Sequence, residues 1–342
     1  MKFVIDCLGG DNSPRANVLG ALRTMEQHAD LSVIFAGDKP AIVEELRAAG
    51  AQETMRERIE ILHAPDAISG EDKPTDAIRL KKDSSMVRAF QVLRDDPAVS
   101  ALVSNGSTGA LVAGATLRIG RLPGIRRPAF CPILPAMTGG IVGVCDSGAN
   151  VDILPEQLQQ FAIMGSRYLE CAFGIENPRV ALLNIGVETE KGDNLRKTAY
   201  PLLESTPGIN FVGNMESRDL LSGSYDLIVC DGFAGNVLIK TAEGVALELM
   251  KKLKRDIYRK NRYKAGALLM KKMFREEKEF FNYQNYGGSV MLGTVKTVVK
   301  GHGSSGPDAF ARCVEQAYSM QLGGMNEKIA ASMAALKAQQ EA

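Results

Sequence analysis

Two stretches of this 342-residue chain place polar and flexible residues where an apolar run stops. In "LIVCDGFAGNVLIKTAEG" the run ends at Asp231, Gly232 and Gly235 make a turn, and Asn236 stands near the start of a helical pattern. An Asn amide both donates and accepts, so Asn236 could orient a carbonyl or phosphate oxygen; it could equally be a helix N-cap. In "VSNGSTGALVAGATLRIG" the run reaches Asn105, and Gly106, Ser107, Thr108 and Gly109 then lead into a helix of small apolar residues. Amide N–H groups over residues 106–109 would point outward at the positive end of that helix. Such a nest suits phosphate, and the two hydroxyls add donors. The stretch contains neither GxxxxGK nor GxGxxG, so it is neither a P-loop nor a dinucleotide fingerprint. Taken alone, it fits phosphate binding and plain helix capping equally well.

Other junctions carry further candidates. "LLNIGVETEKGDNLRKT" sets Lys191 among Glu188, Glu190 and Asp193 after another apolar run. A lysine there can stabilise a phosphate or a developing oxyanion, and a solvated loop lysine is the plainer alternative. "VCDSGANVDILPEQL" ends a run at Asp146, with Gly148 and Asn150 following, and "KGHGSSGPDAF" supplies His302, Gly303, Ser304 and Ser305. A Ser–His–Asp triad drawn from these is discounted because the GxSxG elbow is absent. The first run, "MKFVIDCLGGD", finishes with Asp6, Gly9, Gly10 and Asp11. His28, His63 and His302 show no HxxH or HExxH spacing, so no metal site is expected.

What must position these residues is a set of short runs rich in Val, Ile and Leu with helical patterns between them. The runs are "KFVID", "LSVIFAGD", "RIEILHAP", "SALVSNG", "GIVGVCDSG", "RVALLNIG", "INFVGN" and "LIVCDG". Most are too continuous to be half-exposed, which predicts strands buried on both faces of a doubly wound, mostly parallel sheet with helices on both faces. In such α/β folds ligands bind beyond the carboxyl ends of the strands, where the Gly, Asp and Asn residues collect. Tight turns also need those residue types, so only the number of such ends favours a site. Ser13 with Pro14 is expected to open the first long helix as cap and first helical residue. The expected organisation is one α/β/α unit over residues 1–330, a helical hairpin at 240–283 inserted in it, and a helix end or tail at 331–342.

Composition bounds the rest: 45% apolar and 24% charged residues with a net charge of +1 suit a globular protein and favour no particular partner. The six Cys form no CxxC pair, and four lie in apolar runs, which predicts reduced, buried thiols and a cytosolic setting. No signal peptide is expected from "MKFVIDCLGG", and no apolar stretch reaches the ~18–20 residues of a membrane span. The charge is unevenly placed, however. Residues 251–275 hold eleven Lys and Arg against Asp256 alone, a local +10 that leaves −9 on the remainder. Here the spacing of Leu249, Leu253 and Ile257 predicts a helix, "NRYKAG" (261–266) a break, and "ALLMKKMFREEKEFF" a second helix. A solvated arm packed on itself or across a dimer is one reading. A surface for acidic partners, such as anionic lipid, is the other. Its contact residues would be Lys251, Lys252, Arg255, Arg259, Arg262, Lys264, Leu268, Leu269, Lys271 and Lys272. Nucleic acid is not expected, since aromatic interleaving is sparse and no binding motif is present.

The combination "DCLGGDNSP", "SNGSTGAL", "DSGANVDILPEQLQQFAIMGS", "GNMESRDLL", "DGFAGNVLIKT", "NYGGSVMLG" and "GHGSS", in that order, closely resembles the PlsX family of bacterial phosphate acyltransferases. The likeness runs from about residue 2 to the mid-320s. The family usually has "MGGD" and "GNTGAL", where this chain has Leu8 and Ser107. What the resemblance implies is transfer of a fatty acyl group from acyl carrier protein to inorganic phosphate. The acyl phosphate would feed phospholipid synthesis through a glycerol-3-phosphate acyltransferase. It further implies a fold like isopropylmalate dehydrogenase and phosphotransacetylase, a homodimer, no cofactor or metal, and peripheral attachment to the membrane through the basic arm. Lys191 in "EKG" and Asn236 in "GFAGN" match the family's catalytic Lys and Asn. Phosphate would sit on residues 106–109, with Gly9, Gly10, Asp11 and residues 302–305 lining the same crevice. A short-chain phosphotransacetylase and a noncatalytic membrane scaffold are the alternatives.

Overall fold

The computed structural model describes residues 1–51 and 53–341. The strands are β1 (Lys2–Asp6), β2 (Ser32–Gly37), β3 (Ile59–His63), β4 (Val99–Ser104), β5 (Ala129–Cys131), β6 (Ile133–Pro135), β7 (Ile141–Cys145), β8 (Arg179–Asn184), β9 (Asn210–Glu216), β10 (Leu227–Val229), β11 (Ser289–Leu292) and β12 (Thr297–Lys300). The helices are α1 (Arg15–Gln27), α2 (Lys39–Ala48), α3 (Glu53–Arg56), α4 (Pro74–Leu80), α5 (Ser85–Asp95), α6 (Thr108–Gly114), α7 (Pro155–Phe173), α8 (Asn194–Glu204), α9 (Gly232–Tyr258), α10 (Asn261–Leu269), α11 (Lys271–Phe280), α12 (Pro307–Leu322) and α13 (Met325–Glu341).

The eight expected runs are all strands, and they divide between two sheets. The larger sheet has the order β3-β2-β1-β4-β12-β11-β5, and the smaller has β6-β7-β10-β8-β9. Pairing is parallel from β3 through β12 and from β7 through β9; β11, β5 and β6 join by antiparallel edges. Alternate residues of the runs feed different cores. Phe3 and Ile5 enter a large cluster with α1, α7 and α12, whereas Val4 joins Phe90 and Leu93 of α5 on the other face. In the smaller sheet Leu227 and Val229 share the large cluster, and Ile228 packs with Ile239 of α9. Helices thus cover both faces of mostly parallel sheets, and the near-continuous apolar composition of the runs follows from that double burial.

Chain order reverses direction twice, and both reversals lie at strand carboxyl ends. From β1 the chain moves outward to β2 and β3, then returns to β4 on the other flank of β1. In the smaller sheet β9 lies outside β8, and β10 returns to its inner flank. Each reversal sends the flanking connections to opposite faces and opens a crevice between two loops.

Two local expectations are corrected, and the C-terminal segment takes the helical form of the two offered. α1 begins at Arg15, and Ser13 does not cap it; its hydroxyl lies within hydrogen-bond reach of Gly9 O and, at 2.8 Å, of Asn17 Oδ1. The arm is three helices rather than two, because "NRYKAG" continues helically within α10. The chain turns instead at Lys260, which is extended, and at Met270. The C-terminal segment is helical to Glu341, held by buried Met325, Ile329, Met333 and Leu336 at helical spacing.

Candidate active site

At the reversal beside β1, three glycine-rich loops meet. A Cβ on Gly9 would lie 2.5 Å from the amide nitrogen of Gly106, so only hydrogen lets the loops after β1 and β4 touch. Gly10 adopts φ 102°, a left-handed conformation that glycine tolerates without strain. The Asp11 amide donates to Gly303 O at 2.8 Å, and Asn12 Nδ2 donates to Ser304 O and Ser305 O at 3.1 and 3.2 Å. These bonds add the loop after β12, so residues 9–11, 105–109 and 302–305 are brought together.

Beneath them lies buried Asp6, whose carboxylate accepts from Ser85 Oγ at 2.5 Å, Ser104 Oγ at 2.6 Å and the Leu8 amide at 3.3 Å. Ser104 Oγ in turn accepts from the Gly106 amide at 3.0 Å, which removes that N–H from the expected nest. Among the described residues no hydrogen bond engages the amides of Ser107, Thr108 or Gly109, and these three remain for an anion. Ser107 precedes α6 and its side chain makes no capping bond.

Lys300 was not singled out in the sequence, yet it sits under the same turn. Its ammonium donates to Asn105 O at 3.3 Å and to Gly301 O. Burial lowers its pKa to about 8, against an opposing pull from Cys313, Asp6 and Asp11. The Asn105 side-chain oxygen is buried against Gly301 and has no hydrogen-bond partner among the described residues. His302 Nδ1 lies 2.8 Å from Ser304 Oγ and accepts from the Ser304 amide at 3.2 Å, so the ring proton belongs on Nε2. Desolvation, then the charges of Lys300 and Lys240, hold the His302 pKa below its ordinary value.

The second reversal carries the two catalytic candidates. Asp231 is the N-cap of α9, accepting from the Ala234 amide at 2.8 Å, and this rules out Asn236 as the cap. Asn236 instead lies on the second turn, exposed, beside Gly148. Gly235 is required for that placement, since a Cβ would come 2.0 Å from Asp146 O. The loop bearing Lys191 is held by Asn184 Nδ2 donating to Lys191 O at 3.0 Å and Asn214 Nδ2 donating to Glu188 O at 2.8 Å. The Lys191 stem runs over Gly186. Among the described residues no hydrogen bond joins Lys191 to Asn236 or to the 106–109 turn.

What couples their supports is Arg196, also missed in the sequence. It donates to Asp231 Oδ2 at 2.6 Å, to Leu183 O at 2.9 Å and to Asp193 Oδ2 at 2.8 Å. The residue pair Arg196 and Asp231 is largely buried, at 13% and 10% side-chain exposure. Asp146 and Asn150, expected to face a ligand, are committed to their own loop. The Asp146 carboxylate accepts from the amides of Phe130, Ala149 and Asn150 and from Asn150 Nδ2, at 2.7–3.2 Å. Burial still raises its pKa, with those bonds opposing. A triad using Asp146 is therefore excluded. The charges of Lys240 and Glu243, about one and two turns beyond Asn236 on α9, act on His302.

Among the described residues no group of three His, Cys, Asp or Glu could hold a metal, and no helix is long and apolar enough to cross a membrane. All six Cys are free, and burial pushes the thiols of Cys7, Cys145 and Cys230 well up and that of Cys313 up to about 12.

Against this geometry the comparisons are decisive for the family. The model of a family described as fatty acid synthesis protein matches residues 1–328. The phosphate acyltransferase of Clostridium acetobutylicum is 44% identical over 329 residues, covering 96% of this chain and 98% of that protein. This chain belongs to the phosphate acyltransferase family. The Bacillus cereus phosphate acyltransferase is 43% identical over 320 residues, 94% of either chain. Membership makes the chain an acyltransferase whose acceptor is phosphate. The fold is that of phosphotransacetylases from Streptococcus pyogenes (TM-score 0.60, 15% identity) and Staphylococcus aureus (TM-score 0.61, 13% identity), each covering 94% of both chains.

Proposed function

We propose that this phosphate acyltransferase takes a long-chain fatty acyl group from acyl carrier protein and delivers it to inorganic phosphate, making acyl phosphate for phospholipid synthesis. The observation that carries the choice of donor is α9: it bears Asn236 in its second turn and runs unbroken for 27 residues into the basic, apolar arm. Acyl carrier proteins are acidic, and that arm offers them a positive surface next to the chemistry.

In the proposed reaction phosphate rests on the amides of residues 107–109, above the Lys300 charge. A phosphate oxygen attacks the thioester carbonyl carbon directly. The tetrahedral oxyanion collapses, the C–S bond breaks, and the carrier thiolate leaves and takes up a proton from solvent. Lys191 offsets the negative charge of phosphate and oxyanion, and Asn236 donates to the carbonyl oxygen or holds phosphate in line. No acyl-enzyme is needed, because phosphate is itself the nucleophile. The basic arm also docks the enzyme on anionic membrane, two chains form the working dimer, and a glycerol-3-phosphate acyltransferase consumes the product.

Hydroxylamine trapping of acyl phosphate tests the reading. Hexadecanoyl-acyl carrier protein with phosphate is expected to give product, and acetyl-CoA far less. A preference for acetyl-CoA would make the enzyme a short-chain phosphotransacetylase. No product from either would leave a scaffold role.

A further inference from the structure

Where the three glycine-rich loops meet, one buried amide is left without a partner. Asn105 is only 3% exposed. Its side-chain oxygen is sealed against Gly301 without a hydrogen bond, and its side-chain nitrogen makes none among the described residues either. Glycine makes room for this side chain on two sides. A Cβ on Gly10 would come 2.8 Å from Asn105 Cβ, and one on Gly301 would come 2.0 Å from Asn105 Oδ1. Burying an amide with no partner is unfavourable, and such groups are rare in folded proteins. Nor does the side chain hold its own loop, which is tied instead by the Asn105 backbone oxygen accepting from Lys300 at 3.3 Å.

Charge sets which way the amide points. The Lys300 ammonium bonds Asn105 O and Gly301 O, so the negative end of the amide dipole belongs on the Gly301 side and the NH2 group on the other. Of the two amide atoms only the oxygen is fully sealed from solvent. The sequence supplies a second, independent observation. The family's usual "GNTGAL" carries an Asn directly after its first glycine, where this chain has Ser107; here an Asn stands directly before that glycine, Gly106. A serine hydroxyl has a shorter reach than an amide, and the Ser107 side chain caps nothing.

We propose that the Asn105 NH2 group donates directly to the phosphate held on the amides of residues 107–109, a contact that rests on the function proposed above. It supplies from before Gly106 the side-chain amide that Ser107 lacks after it. An NH2 group only donates, so it selects an acceptor-rich oxyanion such as inorganic phosphate. The contact is made in the ground state and the transition state alike, so it governs the KM for phosphate and leaves kcat alone.

Asn105→Ala removes the amide and breaks no side-chain hydrogen bond among the described residues, so its melting temperature is expected to be no lower than that of wild type. Its KM for phosphate is expected to rise about tenfold, the usual worth of a hydrogen bond to a charged group. Its kcat and its KM for hexadecanoyl-acyl carrier protein should stay within about twofold of wild type. Asn105→Ala combined with Ser107→Asn is expected to bring the KM for phosphate back to within about threefold. An unchanged KM for phosphate in Asn105→Ala overturns the proposal. So does an equal rise in both KM values with a lower melting temperature, which marks Asn105 as structural, and so does a rise that Ser107→Asn leaves uncorrected. Should wild type form no acyl phosphate, the proposed function has failed, and calorimetric titration with inorganic phosphate then judges the contact separately. Binding about tenfold weaker in Asn105→Ala than in wild type supports it. Equal binding by both, or none by wild type, refutes it.

Discussion

The proposed chemistry rests on single side chains, and two of them test it most directly. Lys191→Ala and Asn236→Ala are each expected to lower acyl phosphate turnover by about 100- to 1,000-fold, the usual cost of losing one well-placed oxyanion donor. Both residues are exposed, so circular dichroism and melting temperature should stay close to wild type. Lys300 sets the pH response. With a pKa near 8 it is charged below that pH and neutral above it. The KM for phosphate is therefore expected to rise several-fold between pH 7.5 and 9.5. Lys300→Arg, whose guanidinium stays protonated, should flatten that rise. A wild-type KM that does not change over this range would remove Lys300 from the anion site. The folded pKa lies below the unfolded value, so the unfolded chain holds more protons between pH 8 and 10.5. Lys300 therefore adds to stability as pH climbs through that window.

At the scale of elements, loops are fixed by partners far away in sequence. Arg196 ties the loop of Lys191 to the cap of α9, which carries Asn236. Arg196→Met leaves the Asp231 carboxylate buried and unpaired, and such losses cost about 3–5 kcal/mol. Urea denaturation is expected to show a destabilisation of that order, accompanied by lower turnover. Unchanged stability with full activity would mean that the ion pair has no positioning role. The same dependence on distant partners explains what the sequence made legible. Asp231, Gly235 and Asn236 could be read because a strand, a turn and a helix start lie within ten residues. Lys300 could not, because its acceptor Asn105 is 195 positions away. Nor could the second sheet, since runs buried on both faces look the same in either. β11 and β12 escaped notice because a Gly-Thr turn splits one apolar stretch into two four-residue strands. Asp146 misleads in sequence because a carboxylate at a strand end signals a turn as readily as a ligand.

For the whole molecule the decisive asymmetry is a +10 segment on a body of −9. Most residues of that segment are exposed. Sedimentation with vesicles is expected to show binding to phosphatidylglycerol-containing bilayers and little to phosphatidylcholine alone. Binding should weaken as salt rises from 50 to 500 mM, because screening shortens the reach of the charge. Equal binding to both lipids, or none to either, would argue against a membrane-facing arm. Arg255→Glu with Arg259→Glu should weaken vesicle binding and its dependence on salt.

Mechanically, α9 is a lever with a very short inner arm. Its first turn is clamped where Gly232 and Gly235 press against the loop of Asp146 and Asn150, and the Gly232 amide donates to Asn150 O at 2.7 Å. Asn236 lies about 1.5 Å beyond the second glycine, whereas Tyr258 lies about 35 Å beyond it. A swing of several ångströms at the tip therefore displaces Asn236 by only a few tenths of an ångström. The outer end can bob with a soft, fluctuating surface while the inner end keeps the sub-ångström alignment that a nucleophilic attack demands.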